Sequence, residues 1–230
     1  GYTGNLDLRP ERADTFSATL TAGAAESTRV DLRATPYVTF VHDYIDADRC
    51  AVIAGSNGCT AAKLAASSGF VNLKFANHDA RLYGIDVSGH AVLAGTPTRG
   101  MLTLNGSLGY VRGENLDTGD NLYRLMPLQG TLTLEHVRGP WSEAVTVRGV
   151  AEKSRVSATR VELPTPGYTV VDLRAAWRRN HLRVDIGLDN LFDRSYLLPL
   201  GGRYWVGDTT GSSSVPGMGR SVTTGVSVTF

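Results

Sequence analysis

The 230-residue sequence has no apolar run near the 18 or so residues that a membrane-spanning helix needs. It also has no segment with the amphipathic periodicity of a helix, and no basic-then-apolar leader at its N-terminus. We therefore expect either a cytosolic protein or a chain that begins after its targeting segment. The formal net charge is only +1 without a concentrated basic patch, so no nucleic-acid partner is expected.

Cysteine is scarce, since the sequence has only Cys50 and Cys59. The residues between them are rich in Gly, Ser and Asn, as in a flexible loop that a disulfide would close. Spacing and composition favour a Cys50–Cys59 disulfide, which would place this loop in an oxidising compartment. The alternative is a pair of free thiols in a cytosolic loop.

The abundant residues favour strands and turns. There are 26 glycines and nine tyrosines, with many Val, Thr and Leu, so the expected fold class is all-β. Alternation of apolar and polar residues predicts about nine strands, with ends uncertain by two to four residues. They span 13–22, 28–46, 70–94, 100–113, 127–138, 142–155, 167–179, 181–197 and 219–230.

The connections between these strands alternate between short and long. The short ones lie at 22–27, 94–99, 138–143 and 178–181, and the long ones at 47–69, 114–126, 156–166 and 198–218. Outer-membrane barrels have short periplasmic turns and long outer loops. The pattern therefore predicts a transmembrane antiparallel up-and-down β-barrel. Arginines on the polar strand faces are expected to pair with strand carboxylates or with a domain inside the barrel.

The chain ends on an alternating segment in which Val226, Val228 and Phe230 share one face. The strand has to pair on both edges in lipid, and the terminal aromatic ring would anchor it at the interface. This ending resembles the C-terminal signature of bacterial outer-membrane proteins, which the barrel-assembly machinery reads.

Three further stretches resemble TonB-dependent outer-membrane receptors. The first is a Leu-x-Pro-Glu element before a strand, the second an Asn…Gly-Ile-Asp strand, and the third the motif of the penultimate strand. The matching residues are Leu8, Arg9, Pro10, Glu11, Asp14 and Phe16; Asn77, Gly84, Ile85 and Asp86; and Asn190, Leu191, Phe192, Asp193 and Tyr196. Together, in this order, they cover nearly the whole chain.

The resemblance implies that residues 1–230 form the C-terminal part of a receptor barrel, about nine of its 22 strands. The plug domain and the TonB-binding segment of such receptors have no counterpart here. The implied function is capture of a scarce solute of the siderophore, metal-complex, haem or cobalamin class, and its import with TonB energy. The implied partners are the TonB complex, the barrel-assembly machinery, outer-membrane lipid and the solute. A small complete barrel acting as a passive pore is the alternative.

Two groups of residues are candidates for the binding site. Arg203, Tyr204 and Trp205 form an aromatic and cationic cluster in the last long loop. His42 and Asp43, with His78 and Asp79 on the next strand, could hold a divalent metal, or could simply be a solvated cluster at the strand ends. No nucleophile elbow or metal-binding helix motif is present. We therefore expect neither an enzyme nor a cofactor.

Overall fold

The computed structural model describes residues 1–23, 29–53, 59–60, 71–96, 98–205 and 212–230, and these ranges contain strands but no helix. Accordingly, the described residues contain no helix of the length and apolar character that a membrane crossing would need. The strands are β1 Tyr2–Thr3, β2 Arg12–Ser17, β3 Leu20–Gly23, β4 Val30–Arg49, β5 Leu73–Thr96, β6 Gly100–Asn115, β7 Gln129–Arg138, β8 Trp141–Val150, β9 Tyr168–Arg179, β10 Leu182–Asp189, β11 Arg203–Trp205, β12 Ser212–Ser214 and β13 Ser221–Val228.

One sheet holds all the long strands, in the order β13-β10-β9-β8-β7-β6-β5-β4-β2. These neighbours are antiparallel; β3 continues the line of β2 along β4, and β1 adds a short parallel pair with β5. β11 and β12 form a separate two-stranded hairpin. The predicted all-β, antiparallel, up-and-down arrangement is confirmed. In the described residues the sheet is open, with β2 and β3 at one edge and β13 at the other.

Two predicted strands are too long. β8 ends at Val150 rather than at residue 155, and β10 ends at Asp189 rather than at residue 197. The end of β10 has a clear physical reason, because Asn190 adopts a left-handed backbone with φ 49° and turns the chain out of the ladder. Alternation continues in the sequence beyond both ends, so the pattern alone overestimated the strands.

The predicted first strand is divided into β2 and β3. Both pair with β4 in one continuous register, and the interruption faces Pro36 of β4. Pro36 accepts a 3.2 Å hydrogen bond from the Ala18 amide, but it has no N–H to return one. Beside the gap, the hydroxyls of Thr19 and Thr35 are hydrogen-bonded at 3.0 Å, which links the two strands at this point.

One face of the sheet is apolar from edge to edge, and its large side chains are exposed. Leu132 of β7 is 49% exposed and Val226 of β13 is 69% exposed. Register pairs such as Leu134 with Leu104 and Val145 place apolar residues beside each other across neighbouring strands. A single-layer sheet with a continuous exposed apolar face needs an apolar surrounding to cover it.

The opposite face is polar, and its side chains are hydrogen-bonded across the strands. Thr133 and Thr146 are joined at 2.9 Å, as are His90 and Asn105. The predicted ion pairs also form on this face, and they are listed here: Arg148 with Asp172, Arg174 with Asp189, and Arg183 with Asp185. The apolar face and this polar face together are typical of a barrel with a hydrated interior.

The strand ends joined by the four short connections all lie at one edge of the sheet, called here the short-turn edge, and those joined by the long connections lie at the opposite edge, the long-loop edge. At the short-turn edge Trp141 and Trp177 are register partners on the apolar face, with ring centroids 6.4 Å apart. The last strand ends at the same edge, where the Thr229 amide donates to the His181 carbonyl at 2.9 Å. Val226, Val228 and Phe230 are exposed there. Their role in barrel assembly stays a prediction.

Gly84 of β5 provides a test of how closely the neighbouring strands pack against it. A Cβ at Gly84 would lie 2.1 Å from the Tyr110 carbonyl oxygen and 2.6 Å from the Tyr37 hydroxyl. We expect Gly84→Ala to lower the free energy of unfolding by about 1–3 kcal/mol through overpacking. Gly95→Ala on the same strand is the matched control, because nothing lies within 4 Å of its Cβ position. Equal thermal unfolding midpoints of the two purified full-length variants, measured by circular dichroism, would contradict the prediction.

Candidate functional site

The long-loop edge begins with a bulge in β4. The register with β5 shifts between Val41 and Tyr44, and Asp43 adopts φ 58°. A bulge leaves an extra residue outside the regular ladder. The Glu11 carboxylate accepts a 2.6 Å hydrogen bond from the Ile45 amide just after it. Glu11 belongs to the Leu-x-Pro-Glu element, so this element ties the N-terminal segment to the irregular end of β4.

Asn77 of β5 also fixes the N-terminal segment at this edge, through hydrogen bonds to Arg9 and Asp43. Its side-chain amide donates to the carbonyls of Asp43 at 2.6 Å and Arg9 at 2.9 Å. Its oxygen accepts from the Arg9 amide at 2.8 Å, and the Arg9 guanidinium pairs with the Asp43 carboxylate at 2.5 Å. The Asn residue of the second motif therefore has a structural role at this edge.

The four predicted metal ligands do not converge on one point. His42 Nδ1 lies 3.4 Å from Asp79 Oδ1, which also accepts from the Asp43 amide at 3.4 Å. His78 precedes Asp79 on β5, so its side chain lies on the opposite face of the strand. Among the described residues no group of three or more His, Cys, Asp or Glu is arranged to hold a metal ion. A metal site at His42, Asp43, His78 and Asp79 stays a prediction.

His78 instead lies between two carboxylates. Its Nε2 atom is 3.2 Å from Asp48 on β4, and its Nδ1 atom is 3.3 Å from Asp117 in the connection after β6. The Asp117 carboxylate also accepts the Asp79 amide at 3.0 Å. The imidazole therefore links β5 to this loop through the Nδ1–Asp117 hydrogen bond, whereas its buried Nε2 atom has no hydrogen-bond partner among the described residues.

Arg160, in the connection between β8 and β9, reaches across to β4. It donates to Asp46 at 2.8 Å, and Asn115 of β6 donates to the other oxygen of this carboxylate at 3.1 Å. The Arg160 guanidinium lies 5.1 Å from the Tyr123 ring and 5.8 Å from the Tyr2 ring. Burial alone would lower the Arg160 pKa, but the hydrogen bond and charge of Asp46 outweigh burial and raise the pKa. The guanidinium therefore stays charged.

Lys153 and Glu162 form a buried ion pair inside the same loops. Their side chains are 2% and 9% exposed, with Nζ and Oε1 2.5 Å apart. Lys153 also donates to the Pro199 carbonyl at 3.2 Å, and Glu162 accepts amides from Ser157 at 3.0 Å and Arg124 at 3.2 Å. Breaking a buried pair by removing one partner typically costs about 3–5 kcal/mol. The pair therefore joins the connections after β6, β8 and β10.

Asp120 holds the β8–β9 connection against the β6–β7 connection. Its carboxylate accepts from the Ala158 amide at 2.9 Å, the Thr159 amide at 2.8 Å and the Ser157 hydroxyl at 3.0 Å. Partial burial by itself would raise the pKa of Asp120, but these hydrogen bonds outweigh it and lower the pKa. The ionised carboxylate is thus the form that the fold stabilises.

The predicted Cys50–Cys59 disulfide is present, with a Cα–Cα distance of 5.1 Å. Both cysteines are buried. Cys50 directly follows β4, and its amide donates to the Asn72 carbonyl at 2.9 Å. The disulfide therefore closes a short loop at the β4 end of this connection, and the Cys50 amide links that loop to the β5 end. Residues 54–58 and 61–70 of this connection lie outside the described residues.

The penultimate-strand motif begins where β10 ends. The buried Asn190 donates its backbone amide to Asp172 at 2.9 Å, and its side-chain amide to the carbonyls of Arg194 at 2.9 Å and Met218 at 3.1 Å. Met218 precedes β13, so Asn190 joins the two ends of the longest connection. The Leu191 amide adds a 2.8 Å hydrogen bond to β9.

The rest of this motif closes the same connection. Asp193, with φ 51°, accepts the Arg220 amide at 2.8 Å. The rings of Tyr196 and Tyr168 lie 4.3 Å apart, whereas Phe192 is 74% exposed. The polar members of the motif therefore position the loop, and they are held by the fold rather than free to contact a ligand.

Arg203, Tyr204 and Trp205 form β11, which pairs with β12 in a hairpin within the last connection. Tyr204 is 44% exposed. The side chains of Arg203 and Trp205 lie outside the described part of the structure. A ligand contact by this cluster stays a prediction, and its position in an outlying hairpin of the long-loop edge is consistent with one.

Comparison with known proteins identifies the class. The family described as TonB dependent receptor-like, beta-barrel matches residues 1–191. The chain therefore belongs to the TonB-dependent receptor family, whose members are outer-membrane transport receptors of bacteria rather than enzymes. The resemblance seen in the sequence, the all-β fold and the outer-membrane location are confirmed.

Individual relatives show the same relationship. Heme/hemopexin utilization protein C of Haemophilus influenzae is 26% identical over 212 residues, which is 85% of this chain and 28% of that protein. The copper transporter OprC has a TM-score of 0.80 at 24% identity, covering 98% of this chain and 33% of that one. The ferric yersiniabactin uptake receptor FyuA of Yersinia pestis has a TM-score of 0.67 at 16% identity, covering 96% and 30%. The chain thus spans about a third or less of these relatives.

Sequence reasoning missed the buried polar network at the long-loop edge. Asp46 lies on β4, Asp120 in the β6–β7 connection, and the other three, Lys153, Arg160 and Glu162, in the β8–β9 connection, so they form no compact motif in the sequence. In the sequence these five charged residues look like ordinary solvated side chains. Only their burial and their partners, distant in the chain, distinguish them.

The lowered pKa of Asp120 predicts a pH dependence for this network. A carboxyl whose pKa is lowered by folding stabilises the fold fully above its ordinary pKa of 3.8, and this stabilisation is lost as the pH falls through the lowered value. Above about pH 5 we expect amide hydrogen exchange at Ala158 and Thr159 to be slow relative to the intrinsic exchange rate at the same pH. In strong acid we expect this protection to be lost.

Asp120→Asn should weaken the protection of the same amides at every pH and remove the acid transition, because the substitution removes the charge and leaves only one acceptor oxygen for the two amides. Asp7→Asn is the matched control, since Asp7 is exposed at the same edge and outside the network. An unchanged exchange profile in Asp120→Asn would show that Asp120 does not hold this loop.

Proposed function

We propose that the chain is part of an active-transport receptor that binds a scarce solute outside the cell and imports it into the periplasm with energy from the TonB complex. The observation that carries the proposal is the two-faced sheet: an exposed apolar face, a polar face, and all its long connections at one edge. With short periplasmic turns and longer outer loops, the long-loop edge would face outside and the apolar face would contact membrane lipid.

The polar face supports passage of a hydrophilic solute or contact with a polar domain inside the barrel. Its ion pairs neutralise most of its charge: Arg148 with Asp172 at 2.7 Å, and Arg183 with Asp185 at 2.7 Å. A surface of threonines and paired charges stays hydrated and has no strong net charge of one sign. Family membership favours this receptor function over the passive pore that the strand pattern left open.

The solute class we propose is a metal complex, such as a ferric siderophore, haem or a cobalamin. Solutes of this class combine planar or apolar groups with negative charge, and an aromatic and cationic hairpin suits both. Arg203, Tyr204 and Trp205 supply this chemistry in β11. The buried ion pair of Lys153 with Glu162 would hold the neighbouring loops in place around it.

Uptake by cells tests the transport proposal. Cells that produce the full-length receptor should accumulate more radiolabel than cells without it when at least one of three solutes is supplied. These solutes are a ferric siderophore, haem iron and cobalamin. The accumulation should vanish in a strain without TonB, while binding at the cell surface persists. Uptake that continues at the same rate without TonB would instead indicate a passive pore.

Substitution of the hairpin tests the binding site. We expect Arg203→Ala with Tyr204→Ala and Trp205→Ala to weaken binding of the transported solute by at least tenfold, because stacking and charge are lost together. Leu6→Ala is the control, because Leu6 is fully exposed at the same edge and joins no cluster. Unchanged affinity in the triple variant, with normal surface levels of the receptor, would remove this hairpin from the binding site.

A further inference from the structure

The connection between β6 and β7 folds over the polar face of the sheet. Leu122 of this connection packs against Ala80 of β5, and a Cβ at Gly113 of β6 would lie 2.6 Å from Leu125 Cδ1. Ala80 is at an even spacing from His90 on β5, so both side chains lie on the polar face. With this face turned inward, as proposed above, the connection lies across the outer mouth of the barrel.

His78 contacts the beginning of this connection. Its side chain is 10% exposed, and its Nδ1 atom is hydrogen-bonded to the Asp117 carboxylate at 3.3 Å, just after β6 ends. The same carboxylate oxygen accepts the Asp79 amide at 3.0 Å. The Nε2 atom of His78 lies 3.2 Å from a carboxylate oxygen of Asp48 on β4. One imidazole ring therefore lies between a carboxylate of the connection and a carboxylate of a strand.

A neutral imidazole cannot donate to both carboxylates. It has one N–H, so in either tautomer the other ring nitrogen directs a lone pair toward a negatively charged oxygen. The Nε2 atom is buried and has no hydrogen-bond partner among the described residues, although Asp48 is 3.2 Å away. Only the imidazolium ion has an N–H on each side of the ring.

No other cation pairs with these two carboxylates. Within the part of the chain that the structure describes, neither Asp48 nor Asp117 has a Lys or Arg nitrogen within 4.0 Å. The other titratable side chains on this face of the two strands are Tyr44 and Asp46 of β4 and Lys74 of β5. Arg160 neutralises Asp46 at 2.8 Å. The charge of His78 therefore decides whether Asp48 and Asp117 attract the ring between them or repel each other.

From this geometry we infer that His78 is a pH-dependent switch for the position of the β6–β7 connection. The imidazolium ion donates to Asp117 and Asp48, and so it holds the beginning of the connection against β4 and β5. When the proton is lost, the link to Asp48 is lost and two uncompensated carboxylates remain on either side of the ring. Histidine ordinarily changes charge between about pH 5 and 8.

The sign of this effect is opposite to that of Asp120. The stabilisation by His78 is present in mild acid and is lost as the pH rises, whereas the stabilisation by Asp120 is lost in strong acid. We therefore expect the connection to be held most firmly in mild acid. The consequence for the barrel mouth rests on the proposed function and its orientation, but the titration of the contact does not.

Hydrogen exchange of the full-length receptor in detergent, followed by mass spectrometry, tests the inference. The amides of interest are those of Asp79, which donates to Asp117, and Leu116, which donates to the Asp79 carbonyl at 2.7 Å. After correction for intrinsic rates, we expect their protection to be at least about tenfold greater at about pH 5.5 than at about pH 8. His78→Gln should remove this difference, because its side chain stays neutral at both pH values.

His42→Gln is the matched control. His42 lies at the same edge but contacts one carboxylate, that of Asp79, and its side chain is 47% exposed. This variant should keep the pH difference of the wild type. Asp48→Asn is the second test variant, because it leaves His78 in place with a single carboxylate, and it should abolish most of the difference.

Three results would overturn the inference: equal protection of the wild type at both pH values, a pH difference that persists in His78→Gln, or a full difference in Asp48→Asn. Solute uptake, measured on the wild type with and without TonB, separates this inference from the transport proposal. A pH difference in exchange without any TonB-dependent uptake would support the switch and contradict the transport proposal. TonB-dependent uptake with exchange that does not vary with pH would support transport and contradict the switch.

Discussion

Backbone hydrogen bonding in a surrounding without water is the constraint on which the rest of this structure depends. Each unsatisfied amide or carbonyl in hydrocarbon costs several kcal/mol, so a membrane sheet has to pair every strand with its neighbours. Antiparallel ladders join every neighbouring pair of strands from β4 to β10, with register shifts at Val41/Tyr44 between β4 and β5 and at Val92/Ala94 between β5 and β6. At Pro36, where one donor is missing, the Thr19 and Thr35 hydroxyls are hydrogen-bonded across the gap. At the β4 bulge, Glu11 accepts an amide.

The same constraint separates the two faces of the sheet. Since the backbone polar groups between neighbouring strands pair with each other, the side chains decide which face contacts lipid and which contacts water, and they alternate along every strand. Leucines and valines cover one face, whereas threonines and paired charges cover the other. The polarity of the side chains also changes along the strand. On the apolar face of β6, Leu108 is followed by Tyr110 and then by Arg112, as expected where hydrocarbon gives way to headgroups.

The long-loop edge is held by a different kind of interaction. One small apolar cluster is buried there, in which Leu122 packs with Val41 and Ala80, and the other buried residues include Asn115, Lys153 and Asn190. Charged and amide side chains that accept or donate several hydrogen bonds each hold the rest of this edge: Asp120 accepts three, and Asn190 joins both ends of the last connection. Such a network gives the outer loops defined positions from which an exposed hairpin can meet a solute.

Period-2 alternation, turn lengths and the three motifs in the sequence by themselves determined the all-β class, the strand order, the short and long edges and the family, and the spacing of the two cysteines favoured the disulfide. These features are local or follow the order of the chain, so a linear pattern carries them. Only the tertiary structure decided that β10 ends before Asn190, that His78 faces away from His42, and that Asp120 binds the amides of Ala158 and Thr159. Those outcomes depend on partners far apart in the chain, and on which face of a strand or loop each side chain takes, which no local pattern records.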